Sequence, residues 1–329
     1  MRVTTMPPVA AAAAGAVCIS SSAVLMKLAS TASPSVVALG RCAFALPVLG
    51  ALALGERRRG GGTTPMPSRS RWLARLAGLF LAADLILWSH TIAAIGAGLG
   101  TVVGNLEVLI IALLAWLVLG ERPSRSLVLA SPVMLAGLVL VGGLADTGRS
   151  HAYGTDPALG VGLGVGVAVL YAVYILMLRQ ATPSGPGAAV AAPLFEATAG
   201  AVAGSVVLGL VLGDVRLGPP WPALGWLVLL ALTSQVIGWL LITVSMPRLA
   251  AGTIGALLLI QPAGSVALSY VILGERPSLL QLAGVALMLT GVVVAVTGRA
   301  PDAPYSRRRT RIIRHASAAS TGTSPSKSP

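Results

Sequence analysis

The chain has 329 residues, of which 55% are hydrophobic and only 10% are charged. A soluble domain carries about a quarter charged residues, so this chain has too few charges to cover a water-facing surface, and a lipid environment is predicted. The formal net charge is +13, but the basic residues lie in short connectors and near the C-terminal end. We therefore expect this charge to face a membrane surface and not nucleic acid.

Ten mostly apolar stretches have the length of about 20 residues that a helix needs to cross a bilayer. The first is longer than the core of a secretory signal, which is about 7–15 residues, and we interpret it as a spanning helix. The sequence thus predicts an all-α polytopic membrane protein with ten transmembrane helices. The predicted spans are residues 9–29, 35–54, 75–95, 100–119, 126–145, 158–178, 188–212, 224–245, 252–273 and 279–298.

The arginines are distributed unevenly over the connectors, which predicts the orientation because positive residues mark the cytoplasmic side. With both termini inside, the outer connectors hold only Arg149, Arg216 and Arg276. We expect a protein of the bacterial inner membrane with both termini in the cytoplasm. The inner segments hold Arg2, Arg57, Arg58, Arg59, Arg69, Arg71, Arg75, Arg122, Arg125, Arg179, Arg248 and Arg299.

Residues 299–329 are polar, small and proline-containing, and they cannot bury enough apolar surface to fold alone. Five arginines follow the last predicted span. We interpret this segment as a disordered basic cytoplasmic tail that anchors the topology through lipid headgroups. The five are Arg307, Arg308, Arg309, Arg311 and Arg314.

The hexapeptide LGERPS occurs at residues 119–124 and again at 273–278, which is 154 positions later (273 minus 119). The same shift aligns Met134 with Met288 and Gly137 with Gly291. We infer that a five-helix module is repeated, over residues 1–145 and 146–298. Because five is odd, the second copy should enter the membrane inverted, as in secondary transporters with inverted repeats.

These two halves, each with a segment like LLAWLVLGERPS, resemble the EamA-type branch of the drug/metabolite transporter superfamily over residues 9–298. The resemblance implies export or exchange of small metabolites through a cavity lined by helices one to four and six to nine, with helices five and ten at the periphery. Where the family pattern implies a proline near Val108, this sequence has Asn105 and Glu107. The motif residues are Gly120, Glu121, Arg122, Pro123, Gly274, Glu275, Arg276 and Pro277, with Pro262 in IQPAGSVAL.

We interpret the hexapeptide as structural, because its glycine suits the end of a helix and its proline suits the start of the next one. Its charged residues would lie at the membrane interface.

Ionisable residues inside predicted spans are candidates for function, because a charge at the bilayer centre costs roughly 2.5–3.5 kcal/mol on insertion scales. At a rise of about 1.5 Å per residue, Asp84 lies near the middle of the bilayer. Trp88 shares its helix face at i+4. The others are Lys27, Arg41, His90, Glu107 and Glu196.

The expected partners follow from the predicted depths. Arg41, His90 and Glu107 share one layer in the outer half, roughly 8–10 Å below the outer helix ends. We expect an Arg41–Glu107 ion pair, which would serve either as a structural clamp or in ligand binding and gating. His90 has two open interpretations, a pathway residue and a headgroup-facing residue.

Glu196 lies roughly 12 Å from the inner surface. We expect it to contact polar residues of the eighth and ninth helices and not Arg41. The candidate pathway is completed by Asn105 and Trp239. The expected contacts of Glu196 are Ser234, Gln235 and Gln261.

We therefore predict a secondary active transporter, an exporter or exchanger, that moves a small polar or amphipathic metabolite by alternating access. If protons drive it, Asp84 or Glu107 should carry them. A passive facilitator in which Arg41 recognises an anionic group is the alternative, and a non-transporting assembly component is a weaker one. The sequence has no H-E-x-x-H, nucleophile elbow or P-loop, so we predict no enzyme activity, no cofactor and no metal. A homodimer is compatible with the pattern.

Overall fold

The computed structural model describes residues 6–59, 66–120, 123–141, 156–182, 191–215, 218–245, 257 and 260–297. All the regular secondary structure within these ranges is helical. The tail, and the charged residues Glu121 and Arg122 of the first hexapeptide, lie outside the described residues.

We number the helices in chain order, and count as one helix the pieces that follow each other across a short interruption. The helices of the described residues are α1 (Pro8–Ser20 and Ser22–Leu28), α2 (Pro34–Arg59), α3 (Ser68–Ile95), α4 (Ala97–Gly104 and Glu107–Leu119), α5 (Arg125–Val141), α6 (Pro157–Ala181), α7 (Ala191–Leu212), α8 (Ala223–Leu230, Ala231–Gly238 and Trp239–Ser245), α9 (Ile260–Leu268 and Ser269–Leu273) and α10 (Leu279–Thr297). α3 and α4 are counted separately, because Gly96 between them has a φ of 92° and ends α3.

Seven of these helices, namely α1, α2, α3, α4, α6, α7 and α8, are long and apolar enough to cross a membrane. The apolar helices α5, α9 and α10 are shorter within the described ranges. One boundary matters for the site: α3 begins at Ser68 and not near residue 75. Arg71 and Arg75 are therefore residues of this helix and not of a connector.

Four helices are interrupted or distorted along their length. α1 breaks at Ser21, and α4 breaks between Gly104 and Glu107. The middle piece of α8 and the last piece of α9 are π-helical. Such π segments in α-helices occur frequently at functional sites.

Contacts between connectors show which helix ends lie together. The backbone N–H of Asp156, before α6, donates to the carbonyl of Ala94 at the end of α3, over 3.2 Å. Glu275, between α9 and α10, accepts hydrogen bonds from the N–H groups of Ala97 and Gly98 at the start of α4, at 2.8 and 3.1 Å. Gly120 ends α4, so the second hexapeptide lies at the start of α4 and the first at its end.

The helices of the two halves are interleaved. α1 packs against α8 and α9, and α6 packs in the same way against α3 and α4. α5 and α10 pack mainly against each other. There, a Cβ added to Gly137 would lie 2.7 Å from Met288 Cγ, and one added to Gly291 would lie 2.4 Å from Met134 Cγ. The two contacts are equivalent, because a shift of 154 positions converts Gly137 into Gly291 and Met134 into Met288. The repeat in the sequence is therefore also present in the packing of α5 against α10.

In both copies the hexapeptide lies between the end of one helix and the start of the next. Gly120 and Gly274 have φ angles of 70° and 69°, a left-handed conformation that favours glycine at a helix end. The next helix begins two residues after each proline, so the expectation that the proline starts it is wrong. The serine caps the helix instead: Ser124 Oγ accepts from Leu127 N–H at 3.2 Å, as a hydroxyl at the N-cap does.

The second copy has the fuller cap. Ser278 Oγ accepts from the N–H of Gln281 at 3.2 Å, and Gln281 Oε1 accepts from the N–H of Ser278 at 2.9 Å. This reciprocal pair is a capping box.

Candidate functional site

A cavity of about 110 Å³ lies where the interrupted helices meet. It is bordered by Ser22 just after the break in α1, by Asn105 in the break of α4, by Gln235 in the π segment of α8 and by Gln261 in α9. Irregular backbone at membrane depth is tolerated where it lines a cavity. The cavity brings together eight of the predicted pathway residues: Arg41, Asp84, Trp88, Asn105, Glu107, Gln235, Trp239 and Gln261.

Arg41 of α2 is 5% exposed and is held by neutral groups of α8. Its Nε donates to Gln235 Oε1 at 3.0 Å, and its Nη2 donates to Ser234 Oγ at 3.4 Å. Ser234 also accepts a short hydrogen bond from Ser22 of α1. Nη1 of Arg41 is buried without a hydrogen-bond partner, so the guanidinium has donor capacity left at the cavity.

Asp84 of α3 is 3% exposed, and its Oδ1 is buried without a hydrogen-bond partner. Trp88 lies one turn further along the same face and lines the cavity too, as the i+4 spacing predicts. One wall therefore combines a carboxyl group with an aromatic ring.

The break in α4 is made without a proline. Asn105 Nδ2 donates to the carbonyl of Thr101 at 2.8 Å, which is the carbonyl that the backbone N–H of residue 105 would bond in a regular helix. That N–H bonds instead to the carbonyl of Val102 at 3.1 Å. The side-chain amide competes with the helical ladder, and it turns the chain so that Asn105 and Glu107 both border the cavity.

Several cavity residues carry no charge and were not predicted. Tyr171 and Tyr174 of α6 line it, with ring centroids 5.6 Å apart. Their i,i+3 spacing in YAVY is the signal that could have identified them, because residues three apart share a helix face. Ser22 and Thr101 are the other polar residues missed.

Two predicted partnerships are wrong. Among the residues that the structure describes, Arg41 makes no ion pair, so the expected Arg41–Glu107 pair does not form. No hydrogen bond within the described residues joins Glu196 to Ser234, Gln235 or Gln261. Its Oε1 and Oε2 pair instead with Nε of Arg71 at 2.9 Å and Nε of Arg75 at 2.7 Å. The reason is the early start of α3, which brings both arginines alongside α7.

Two predicted pathway residues lie outside the cavity. Glu196 is 5% exposed in its cluster with the α3 arginines. His90 is exposed and does not line the cavity. Within the described ranges, no group of three or more His, Cys, Asp or Glu side chains could hold a metal ion.

A cavity lined by charged, polar and aromatic side chains lies within a bundle of long apolar helices, an arrangement typical of membrane transport proteins. The profile of the EamA-like transporter family matches residues 6–143 and 158–297. The chain belongs to this family, and it is an integral membrane protein of the drug/metabolite transporter superfamily with two EamA repeats.

Among solved structures, a protein described only as "Crystal structure of protein" is similar over 89% of this chain and 99% of its own, with a TM-score of 0.58 and 19% sequence identity. At that identity the likeness shows the fold alone. None of the curated proteins matches this sequence significantly.

Proposed function

We propose that this protein is a secondary active transporter that exports or exchanges a small polar or amphipathic metabolite by alternating access. Ten transmembrane helices in two inverted five-helix repeats would rock about the cavity. The helix ends with the exposed residues Arg57, Arg58 and Arg69 would face the cytoplasm, in keeping with the positive-inside rule.

The observation that carries this proposal is that two residues lining the cavity, Arg41 and Asp84, each keep a buried polar atom without a hydrogen-bond partner, Nη1 and Oδ1. A buried polar group without a partner costs about 1–3 kcal/mol, a cost that a ligand in the cavity would relieve. Such a ligand offers an acceptor to Arg41 and a donor to Asp84. Trp88 and the pair Tyr171 and Tyr174 supply apolar surface beside them.

Two features support alternating access. The two hexapeptides lie at opposite ends of α4, as inversion of the second repeat requires. The glycine–methionine contacts between α5 and α10 occur twice, once with each residue type from each repeat. The cavity also borders breaks in α1 and α4 and the π segment of α8. Discontinuous helices at a midplane site are typical of secondary transporters.

Transport is tested with purified protein in liposomes loaded with a small-molecule extract of cells. Efflux is followed by mass spectrometry, with liposomes that carry the same extract but no protein as the reference. We expect some compounds to leave only the protein-containing liposomes. Efflux profiles that are the same with and without the protein would overturn the transporter proposal.

Proton coupling has a separate test, because both Asp84 and Glu107 line the cavity. We expect a pH gradient to accelerate efflux, and Asp84→Asn or Glu107→Gln to remove this acceleration. Asp156→Asn is the matched control, since Asp156 caps α6 outside the cavity and asparagine caps equally well. If both cavity variants keep gradient-driven efflux, neither carboxyl group carries the coupled proton, and if the pH gradient has no effect on the native protein, the coupling is excluded.

A passive exchanger of an anionic metabolite is the second candidate. It is favoured by the hydrogen bonds of Arg41, whose partners are neutral, and by the lack of a salt bridge to Arg41 among the described residues. Counterflow without any gradient that is lost in Arg41→Gln, together with no response to a pH gradient, would select it over the coupled transporter.

A further inference from the structure

We propose that Arg71, Trp72 and Arg75, at the start of α3, form a binding site for the headgroup of an anionic phospholipid. The site lies outside the cavity, and it depends only on the membrane location of the protein and not on its cargo.

The two arginines are held from one side and open on the other. Glu196 binds each of them through Nε, at 2.9 and 2.7 Å, and its own side chain is only 7% exposed. The side chains of Arg71 and Arg75 are 44% and 41% exposed. A buried carboxylate thus orients two guanidinium groups whose accessible parts face outward.

The cluster is short of negative charge. Arg71 and Arg75 contribute two positive charges and Glu196 contributes one negative charge, which leaves a net charge of one. Arg69, two residues before Arg71, is exposed as well. A phosphate group fits this excess, because guanidinium groups bind phosphate oxygens in bidentate pairs.

Trp72 selects a lipid over a soluble phosphate. It is 69% exposed, and the guanidinium carbon of Arg75 lies 5.6 Å from its ring centroid. α3 is long and apolar enough to cross the membrane, which would place its first turn at the interface, where tryptophan rings are enriched at headgroup level. The occupant therefore has an anionic head for the arginines and an apolar body for the ring, which an anionic phospholipid provides.

Binding here would affect the contact between the two repeats. The arginines belong to α3, in the first repeat, and Glu196 belongs to α7, in the second. A phosphate bound to both arginines supplies the second anion that the pair lacks. We therefore expect an anionic lipid to stabilise the α3–α7 crossing.

The test measures quenching of tryptophan fluorescence by lipids with brominated acyl chains, with the full protein in bilayers that mix phosphatidylglycerol and phosphatidylcholine. The difference between the native protein and Trp72→Phe isolates the signal of Trp72. At low salt we expect brominated phosphatidylglycerol to be preferred about five-fold at this residue, the effect of one net charge near an anionic lipid.

The variants assign the preference to the arginines. Arg71→Gln and Arg75→Gln each make the cluster neutral and should bring the preference close to one, and the double variant, which leaves Glu196 unpaired, should bring it to one or below. Arg125→Gln is the control, because Arg125 is an exposed arginine at the start of another helix, α5, and it should leave the preference unchanged. The single variants keep one partner for Glu196, so they remain informative if the double variant does not fold.

Three results would overturn the proposal. One is equal quenching by the two lipids in the native protein. Another is a preference that survives in both single variants and the double variant. The third is full displacement of phosphatidylglycerol by inorganic phosphate at matched ionic strength, which would assign the cluster to soluble anions.

Discussion

The crossing of α3 with α7 and the cavity differ sharply in how their polar and backbone groups are satisfied, although α3 contributes to both. At the crossing, the helices touch through Gly78 and Gly200, and Glu196 has two cationic partners. In the cavity, the helices are interrupted, and Arg41 and Asp84 keep unpartnered atoms. At the crossing, both carboxylate oxygens of Glu196 have partners and the excess positive charge lies on exposed arginines, whereas beside the cavity the atoms without a partner are buried.

Two similarly buried charged residues make this comparison specific. Arg41 in α2 and Glu196 in α7 are each 5% exposed. Glu196 joins two helices through ion pairs, and Arg41 faces the cavity with neutral partners.

Gly78→Ala should have the largest effect, by breaking the crossing. Its Cβ would lie 2.0 Å from the carbonyl oxygen of Ala197, and backbone atoms cannot yield as a flexible side chain can. Forcing extra volume into a tight contact costs about 1–3 kcal/mol, occasionally more, and we expect about 3 kcal/mol here. The measurement is thermal unfolding of the purified protein in detergent.

Gly162→Ala is the matched control for that prediction. Gly162 lies within α6, and nothing lies within 4 Å of a Cβ added there. Alanine has the higher helix propensity, so this variant should be as stable as the native protein or slightly more stable. Equal melting temperatures for Gly78→Ala and Gly162→Ala would show that the helices do not approach as closely as described.

Arg41→Gln should reduce transport strongly while it leaves the fold intact. A hydrogen bond to a charged group contributes about 1.5–3 kcal/mol, so loss of the contact to substrate predicts a decrease of roughly ten-fold or more in efflux from the loaded liposomes. The amide of glutamine ends where Arg41 has Nε, so it can keep the hydrogen bond to Gln235. A variant that transports at the native rate, with native stability, would remove Arg41 from the site.

Glu196→Gln should show the opposite pattern, a loss of stability with transport retained. The carboxylate joins α3 to α7 through Arg71 and Arg75, but both arginines are over 40% exposed and screened by solvent. We therefore expect a cost of about 1–2 kcal/mol and a melting temperature lower by a few degrees. If transport falls as far as in Arg41→Gln while stability holds, Glu196 belongs to the pathway.

The sequence predicted which apolar stretches become helices and most of the polar cavity residues. A charged side chain in an apolar helix is costly in lipid, so it faces a cavity or a polar partner. It could not predict the π segment of α8, since no proline or glycine marks Ala231 as its start. The error at Glu196 has a simpler origin. Arginines are tolerated at a helix end and in a connector alike, so the pattern did not show that α3 starts about two turns before Arg75.

Asn105→Ala should have the smallest effect and bears on why α4 is interrupted. Without the side-chain amide, the carbonyl of Thr101 is free to accept the backbone N–H of residue 105, and the helix can run through the break. Alanine also favours the helix, so we expect unchanged or slightly higher stability with transport reduced several-fold. Asn105→Asp is the informative companion, because a carboxylate accepts but does not donate to Thr101. If both variants transport at the native rate, the break in α4 has no part in the transport cycle.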